Sequence, residues 1–238
     1  LQEFKSEDFN NKFIEDLKHD LQVLIDIKNI WKDIKTDPKL KSLEQSLGKD
    51  PDLKDKKIVI FFKSKETTNY LLDHLQKDHG SKLMIYGSGG GYRYIEGKKT
   101  YIDSKTSMKL IRANFDPNIK EENQLDNINV IITTDVLAEG INLHRSNVLL
   151  NYDLPWNPTR VIQRVGRVNR INTKFSKIYI YNFFPTEESD EVINMEINIQ
   201  SKIQAFHDCL GEDAKYLSDN EDIEQYALFG DQLYNQLN

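Results

Sequence analysis

Several features that this sequence lacks narrow its class before any motif is considered. Cys209 is the only cysteine among 238 residues, so no internal disulfide can form, which fits a reducing cytoplasm. No apolar run approaches the ~18 residues of a membrane-spanning helix, and no signal peptide is recognisable at the start. The five histidines are scattered without ligand spacing, so we assign no metal site. These absences predict a globular cytoplasmic protein.

The net charge of −6 conceals an uneven distribution along the chain. Residues 186–238 carry 13 acidic side chains against Lys202 and Lys215, a net of −11, so the remainder carries +5. A mildly basic body with an acidic tail permits nucleic-acid binding without demanding it. The tail either shields the basic surface or is simply solvated.

Periodicity divides the chain into three segments. Residues 1–50 are predicted to be a helical lead-in, residues 51–185 an α/β domain and residues 186–238 an acidic helical tail. In the tail, Thr186 is expected to cap a long helix. Because the chain starts with Leu1 rather than methionine, we expect it to be a fragment of a longer protein.

The lead-in is predicted to contain two helices. The first is expected to begin near Ser6, and the second to open at Asp37-Pro38 and close at Gly48 with its leucines inward. Apolar residues recur at helical spacing in the first helix and are predicted to be core: Phe9, Phe13, Leu17, Leu21, Leu24 and Trp31.

The middle segment has the pattern of a parallel sheet. Residues 129–181 alternate short β-branched runs with helical pieces, in the order NVIITT, DVLAEGINL, NVLLNYDL, TRVIQRVGRVNRI and KIYIY. Such alternation is typical of parallel strands joined by crossover helices. KIVIFF (57–62) and KLMIYG (82–87) add two buried strands, and Ser64 is expected to cap the helix between them. We therefore predict an α/β fold.

An arginine-rich helix is predicted to start after Asn157, a capping residue, with Pro158 in its first turn. At about 100° per residue, its apolar side holds Val161, Ile162, Val165 and Val168. Its opposite side holds Arg160, Gln163, Arg167 and Arg170. Gly166 lets another backbone or a ligand come close. Guanidinium groups at this density suit phosphate, although a solvated basic face is the plainer alternative.

Two of these stretches resemble a known family. QRVGRVNR (163–170) resembles motif VI of superfamily-2 helicases and translocases, and ITTDVLAEGINL (132–143) resembles motif V. The sequence between them, NVLLNYDLPWNPTRVIQR, is similar to the Swi/Snf-type branch, most of all to bacterial helicase-related proteins with a phospholipase-D-like domain. The resemblance implies that residues 51–185 are a helicase C-terminal lobe. It also implies a RecA-like three-layer fold with a parallel sheet and flanking helical segments.

The resemblance also implies a cofactor, ATP with Mg²⁺, clamped between two RecA-like lobes. The second lobe supplies arginine fingers that neutralise charge on the transferring phosphoryl group. Arg167 and Arg170 match those fingers by position, Gln163 matches the residue that senses the γ-phosphate, and Arg164 is expected to brace the loop.

Motif V is expected to contribute to nucleotide binding. The resemblance implies close approach at Gly140 and a hydrogen bond from Asn142 to a ribose hydroxyl. Asp135 and Glu139 are also assigned to this site. A carboxylate there either holds a motif VI arginine in line or caps the short helix, and the sequence leaves both alternatives open.

Four residues are candidates for nucleic-acid contact. Lys63 and Ser64 match motif IV, where a strand end and a helix start meet a phosphate, although an ordinary cap beside a surface lysine fits equally well. Thr134 offers a hydroxyl and an amide suited to a backbone phosphate. Arg112 is a further phosphate candidate.

Compared with the family pattern, the chain contains an insertion, SGGGYRYIEGKKTYIDSK (88–105). We predict a hairpin turning at Glu96-Gly97, with the glycines before it as a flexible hinge. Its aromatic and basic residues could stack on bases or bind phosphates. A loop that is merely mobile is the alternative.

The first-lobe parts of the ATP site are missing from this sequence. A P-loop requires Gly-Lys followed by Ser or Thr, and Gly48-Lys49 and Gly97-Lys98 are each followed by another residue. The fragment is therefore expected to be inactive alone and to need an N-terminal RecA-like lobe in the same parent chain, with DNA favoured over RNA as partner. The alternatives are a non-catalytic nucleic-acid or protein docking module and a flavodoxin-type phosphate-binding domain.

Overall fold

The computed structural model has two compact units, Leu1–Ser46 and Leu47–Asn238. It describes residues 9–53, 55–137, 140–170, 173–184, 197–199 and 201–202. Within these ranges no helix has the length and apolar character needed to cross a membrane. The predicted helices of the acidic tail lie outside the described residues, apart from short helical pieces at 197–199 and 201–202.

The lead-in forms the two predicted helices, but the apolar side chains of the first helix are exposed instead of buried. Helix α1 spans Asn11–Asp33 and begins at Asn10, whose Oδ1 accepts a hydrogen bond from Phe13 N; the predicted start at Ser6 lies outside the described residues. The prediction that its apolar stripe is core is wrong, since Leu24 and Trp31 are 62% and 72% exposed. Periodicity identifies an apolar face but not the surface that covers it.

Helix α2 spans Pro38–Lys49 as predicted. Asp37 Oδ1 accepts hydrogen bonds from the amides of Lys39 and Leu40, which satisfies two donors of the first turn. Its inward leucines are buried: Leu40, Leu43 and Leu47.

A seven-stranded sheet forms the centre of the second unit, in the order β4-β3-β2-β5-β1-β6-β7. The five strands β2, β5, β1, β6 and β7 are parallel, and β3 and β4 pair antiparallel at one edge. The α/β prediction is confirmed. The strands span β1 Ile58–Phe61, β2 Leu83–Gly87, β3 Gly90–Ile95, β4 Lys98–Ile102, β5 Val130–Thr133, β6 Val148–Asn151 and β7 Tyr179–Asn182.

Among the described residues, three long helices cover the sheet: α3 Lys65–His79, α4 Ser104–Phe115 and α5 Pro158–Val168. Buried side chains of α4 and α5, such as Phe115 and Val165, join one apolar cluster with alternate residues of the strands. Since residues two apart on a strand share a face, α4 and α5 lie on one face of the sheet. The buried leucines of α3 are outside that cluster, which assigns α3 to the other face.

The insertion forms the predicted hairpin, β3 and β4, with Glu96 and Gly97 at the turn in positive φ. The prediction that its glycines form a flexible hinge is wrong for Gly90 and Gly91, which lie within β3. A Cβ on Gly91 would lie 2.6 Å from the Ile85 carbonyl oxygen. These glycines allow the hairpin to pack closely against its neighbours.

Candidate functional site

Helix α5 is anchored by its apolar side and presents polar residues on the other. Asn157 caps it by accepting a hydrogen bond from Thr159 N, and Pro158 opens the first turn, both as predicted. Val161, Val165 and Val168 are buried, whereas Gln163 and Arg170 are exposed. The predicted orientation of the helix is therefore confirmed.

Two arginines of α5, one turn apart, converge on one carboxylate. Asp135 Oδ1 accepts from Arg164 Nε at 2.7 Å, and Asp135 Oδ2 accepts from Arg160 at 3.1 Å. Arg164 is 1% exposed and its guanidinium lies 4.9 Å from the centre of the Phe61 ring. Of the two alternatives for Asp135, the structure favours the one in which the carboxylate holds an arginine of α5.

The remaining donors of Arg164 identify residues that the sequence analysis missed. Arg164 donates to Asn151 Oδ1 at 2.8 Å and to the Asp153 carbonyl oxygen at 3.0 Å. The Asp153 carboxylate in turn accepts from Lys63 N at 3.1 Å. Asn151 is the last residue of β6 and Asp153 follows it, at the carboxyl end of the strand, where polar side chains commonly build sites in α/β folds. Their position at the end of a predicted strand is the feature of the sequence from which they could have been identified.

At the end of α5, two further arginines contact motif V. Leu143 N donates to the Arg167 carbonyl oxygen at 2.9 Å, and the Arg170 guanidinium donates to Asn142 Oδ1. Arg167 Nε is buried and has no hydrogen-bond partner among the described residues. Arg167 and Arg170 therefore lie beside the motif V segment, as the resemblance implies.

Two glycines leave open space beside these arginines. Gly140 is exposed at φ +80°, and a Cβ at either Gly140 or Gly166 would meet no atom within 4 Å. Both positions therefore permit the close approach expected from the sequence. Glu139 lies outside the described residues, so its assignment to the site stays a prediction.

His144 adds an electrostatic constraint next to this group. It is 7% exposed, and its Nδ1 has no hydrogen-bond partner among the described residues. Burial lowers the pKa of His144 below its ordinary value; Asp116 opposes the shift and Arg170 reinforces it. The neutral imidazole is favoured, so His144 adds no positive charge beside Arg170 at neutral pH.

Three of the four predicted nucleic-acid residues, Lys63, Ser64 and Thr134, lie just beyond the ends of the neighbouring strands β1 and β5. Ser64 caps α3, since its Oγ accepts from Thr67 N at 3.2 Å, so the capping alternative is realised. The Lys63 side chain is exposed beyond β1. Thr134 follows β5 and lines a cleft with Thr68 and Tyr86. Arg112 is exposed on α4 and is not part of that lining.

The donor set near the end of α5 suits an anionic ligand. The unpaired Arg167 Nε and the exposed Arg170 are cationic donors, which hydrogen-bond phosphate oxygens well. Within the described ranges no three His, Cys, Asp or Glu residues converge in a group that could hold a metal ion. These residues fit the phosphates of a nucleotide.

The geometry defines the class of protein: an α/β domain in which motifs V and VI are in contact. The sequence matches the family described as the helicase conserved C-terminal domain over residues 38–172, more than half of the chain. The chain belongs to this family, the C-terminal domain found in superfamily-2 helicases.

Individual relatives agree with the family. The chain is 32% identical over 158 residues to the uncharacterized ATP-dependent helicase YqhH of Bacillus subtilis (strain 168), covering 66% of this chain and 24% of that protein. It is 29% identical to the ATP-dependent RNA helicase uap56 of Schizosaccharomyces pombe, covering 60% of this chain and 28% of that protein. It thus spans about a quarter of the length of these relatives.

Among solved structures, the C-terminal domain of the DEAD-box protein Dbp5 is similar to this chain at 24% sequence identity and a TM-score of 0.48. The match covers 76% of this chain and 81% of that one.

Proposed function

We propose that this domain is the second motor lobe of an ATP-dependent helicase or translocase. In this role it supplies arginine fingers for ATP hydrolysis and part of a nucleic-acid track. The observation that carries the proposal is the junction of motifs V and VI, where Arg170 donates to Asn142 and Leu143 N donates to the Arg167 carbonyl oxygen.

The arginines act by stabilising charge on the phosphoryl group as it is transferred. Arg167 and Arg170 donate hydrogen bonds to phosphate oxygens, and Gln163, exposed on the same helix, senses the γ-phosphate. The ion pair between Arg164 and Asp135 holds α5 in register with motif V, so the donors are oriented before the reaction begins. Asn142 and Gly140 border the nucleotide, with Asp135 as a positioning residue.

The proposal requires an N-terminal RecA-like lobe in the same parent chain. This sequence contains no P-loop, and that lobe would contribute the Mg²⁺ ligands and the residue that orients water. The matched segment covers only 24% of the YqhH helicase, which supports a larger parent. The isolated domain should not hydrolyse ATP.

Nucleic acid is proposed to cross the ends of β1, β2 and β5. Lys63 and Thr134 are partly or fully exposed there, and they would contact backbone phosphates. The Swi/Snf-type resemblance favours DNA, whereas uap56 is named as an RNA helicase, so both polymers belong in the test. The phospholipase-D-like domain elsewhere in the parent stays a prediction.

The proposal is tested by ATP turnover in the protein that contains both lobes, measured without nucleic acid, with single-stranded DNA and with RNA. We expect stimulated turnover that Arg170→Ala largely abolishes, while the isolated domain shows none. Arg160→Ala is the matched control on the same helix, because Arg160 is exposed, its surface pair with Asp135 is weak, and Asp135 keeps its hydrogen bond from Arg164. Absence of turnover in the complete protein would favour the docking-module alternative.

A further inference from the structure

A neutral cleft of about 100 Å³ lies at the carboxyl end of β2, apart from the arginines of α5. It is bordered by α3 through Thr68, by the hairpin through Tyr92 and Tyr101, and by motif V through Thr134. None of the described residues that line it is charged. Hydroxyl, amide and aromatic groups therefore face the space, which suits an uncharged group with polar edges.

Two tyrosines form the hairpin wall of the cleft. Tyr92 and Tyr101 are directly opposite each other on β3 and β4, and their ring centroids are 5.3 Å apart. Tyr101 is 54% exposed, and its hydroxyl donates to the Gly89 carbonyl oxygen at 2.6 Å. This hydrogen bond fixes the orientation of a ring whose face remains available for stacking.

The hairpin is held firmly enough to serve as a wall. Asp73 on α3 accepts hydrogen bonds from Tyr94 at 3.1 Å and from Lys99 at 2.9 Å. Gly90 packs so closely that a Cβ there would lie 2.6 Å from the Ile102 carbonyl oxygen. Ordering of the hairpin before a ligand arrives lowers the entropic cost of binding.

The floor of the cleft is open. A Cβ added at Gly87 or Gly89 would meet no atom within 4 Å. Pockets for whole small molecules usually enclose ~300 Å³ or more, so this cleft has room for one flat group rather than a whole nucleotide.

We propose that the cleft receives one unpaired base of a single-stranded nucleic acid, stacked on Tyr101. This inference rests on the proposed function, because it takes the phosphate track at Thr134 as the path of the strand. A strand contacting Thr134 through its backbone can direct one base into the adjoining cleft. Aromatic stacking tolerates any base, and the lining hydroxyls and amide can hydrogen-bond base edges.

The test measures binding of this chain to fluorescent single strands of roughly 12 nucleotides, a length within known site sizes. Each DNA and RNA strand is paired with a fully abasic strand that retains the phosphates. Tyr101→Ala should weaken binding to strands with bases at least about five-fold, the lower limit for one lost stack. Binding to abasic strands should be unchanged, and Tyr101→Phe should retain most of the affinity.

Two further variants separate loss of the site from loss of structure. Gly87→Val fills the open floor without a positive φ and should reproduce the effect of Tyr101→Ala. Tyr70→Ala, which removes a tyrosine that is 39% exposed on α3, is the control and should leave binding unchanged.

The outcomes distinguish this inference from the proposed function. Equal weakening of base-containing and abasic strands by Tyr101→Ala, or no weakening of either, overturns the base cleft and leaves the phosphate track standing. A loss confined to RNA also overturns it, because the sugar would then be the recognised group. If the unaltered chain binds none of the strands, both the cleft and the track are wrong.

Discussion

The middle and the end of α5 carry the same kind of side chain and use it differently. In the middle, Arg164 is 1% exposed and its donors are occupied by Asp135, Asn151 and Asp153. At the end, Arg167 keeps a buried Nε without a hydrogen-bond partner in the described part of the chain. Charge density alone therefore does not locate a ligand site. Hydrogen-bond donors that lack a protein partner are a better guide to a ligand site than charge density.

The largest expected effect on stability is in the middle of the helix, at Arg164. Arg164→Ala would leave Asp135 and Asn151 without their buried partner, and we expect a loss of about 3 kcal/mol in the free energy of unfolding. Urea denaturation of this chain measures it. Arg160→Ala should cost less than about 1 kcal/mol, because that pair is exposed. Equal losses for both variants would contradict the structural role of Arg164.

Replacing Gly166, which lies between the two arginine pairs, is expected to raise the stability of this chain but to lower ATP turnover in the two-lobe protein. Gly166→Ala should stabilise this chain by roughly 0.5–1 kcal/mol, because alanine is the better helix former and its Cβ meets no atom within 4 Å. In the two-lobe protein the same Cβ should reduce ATP turnover if another lobe packs there.

Thermal unfolding of the chain and ATP turnover of the two-lobe protein measure the two effects of Gly166→Ala separately. Unchanged turnover would mean that the open face of α5 does not meet a partner.

His144 should give a smaller, pH-dependent effect near the end of α5. Its pKa is lowered in the folded state, mainly by burial and also by Arg170, against the attraction of Asp116. The unfolded state therefore binds a proton more readily, and stability is lost as pH falls below the ordinary value of 6.5.

We expect His144→Gln to reduce the loss of unfolding free energy between neutral and mildly acidic pH, as measured by urea denaturation across that range. His79, whose pKa is also lowered by burial, should contribute in the same direction. An unchanged pH dependence in His144→Gln would contradict the buried, neutral histidine.

Local chemistry predicted the elements that carry the site. The caps at Ser64 and Asn157 and the buried valine side of α5 follow from spacing and side-chain type alone, and the structure contains them. The order of strands and motifs in the sequence also predicts that the polar residues lie at strand ends. These features depend on near neighbours in sequence, which explains why they could be predicted.

Features that depend on residues distant in the sequence are harder to predict. The ion pair of Arg164 and Asp135 joins positions 29 residues apart, so the sequence left the role of Asp135 open. The close packing of Gly91 is not visible in the sequence, because the Ile85 carbonyl oxygen that a Cβ would meet belongs to another strand. The spacing of apolar residues reveals the apolar side of α1, but the surface that would cover that side is not encoded in the helix itself.

The most direct test of the account is the turnover number for ATP in the two-lobe protein with Arg167→Ala, at saturating nucleic acid. The account predicts a fall of about a thousand-fold, the lower range for a lost arginine finger, with the free energy of unfolding of this chain nearly unchanged. Turnover within a few-fold of the unaltered protein would contradict the claim that the end of α5 faces the transferring phosphoryl group.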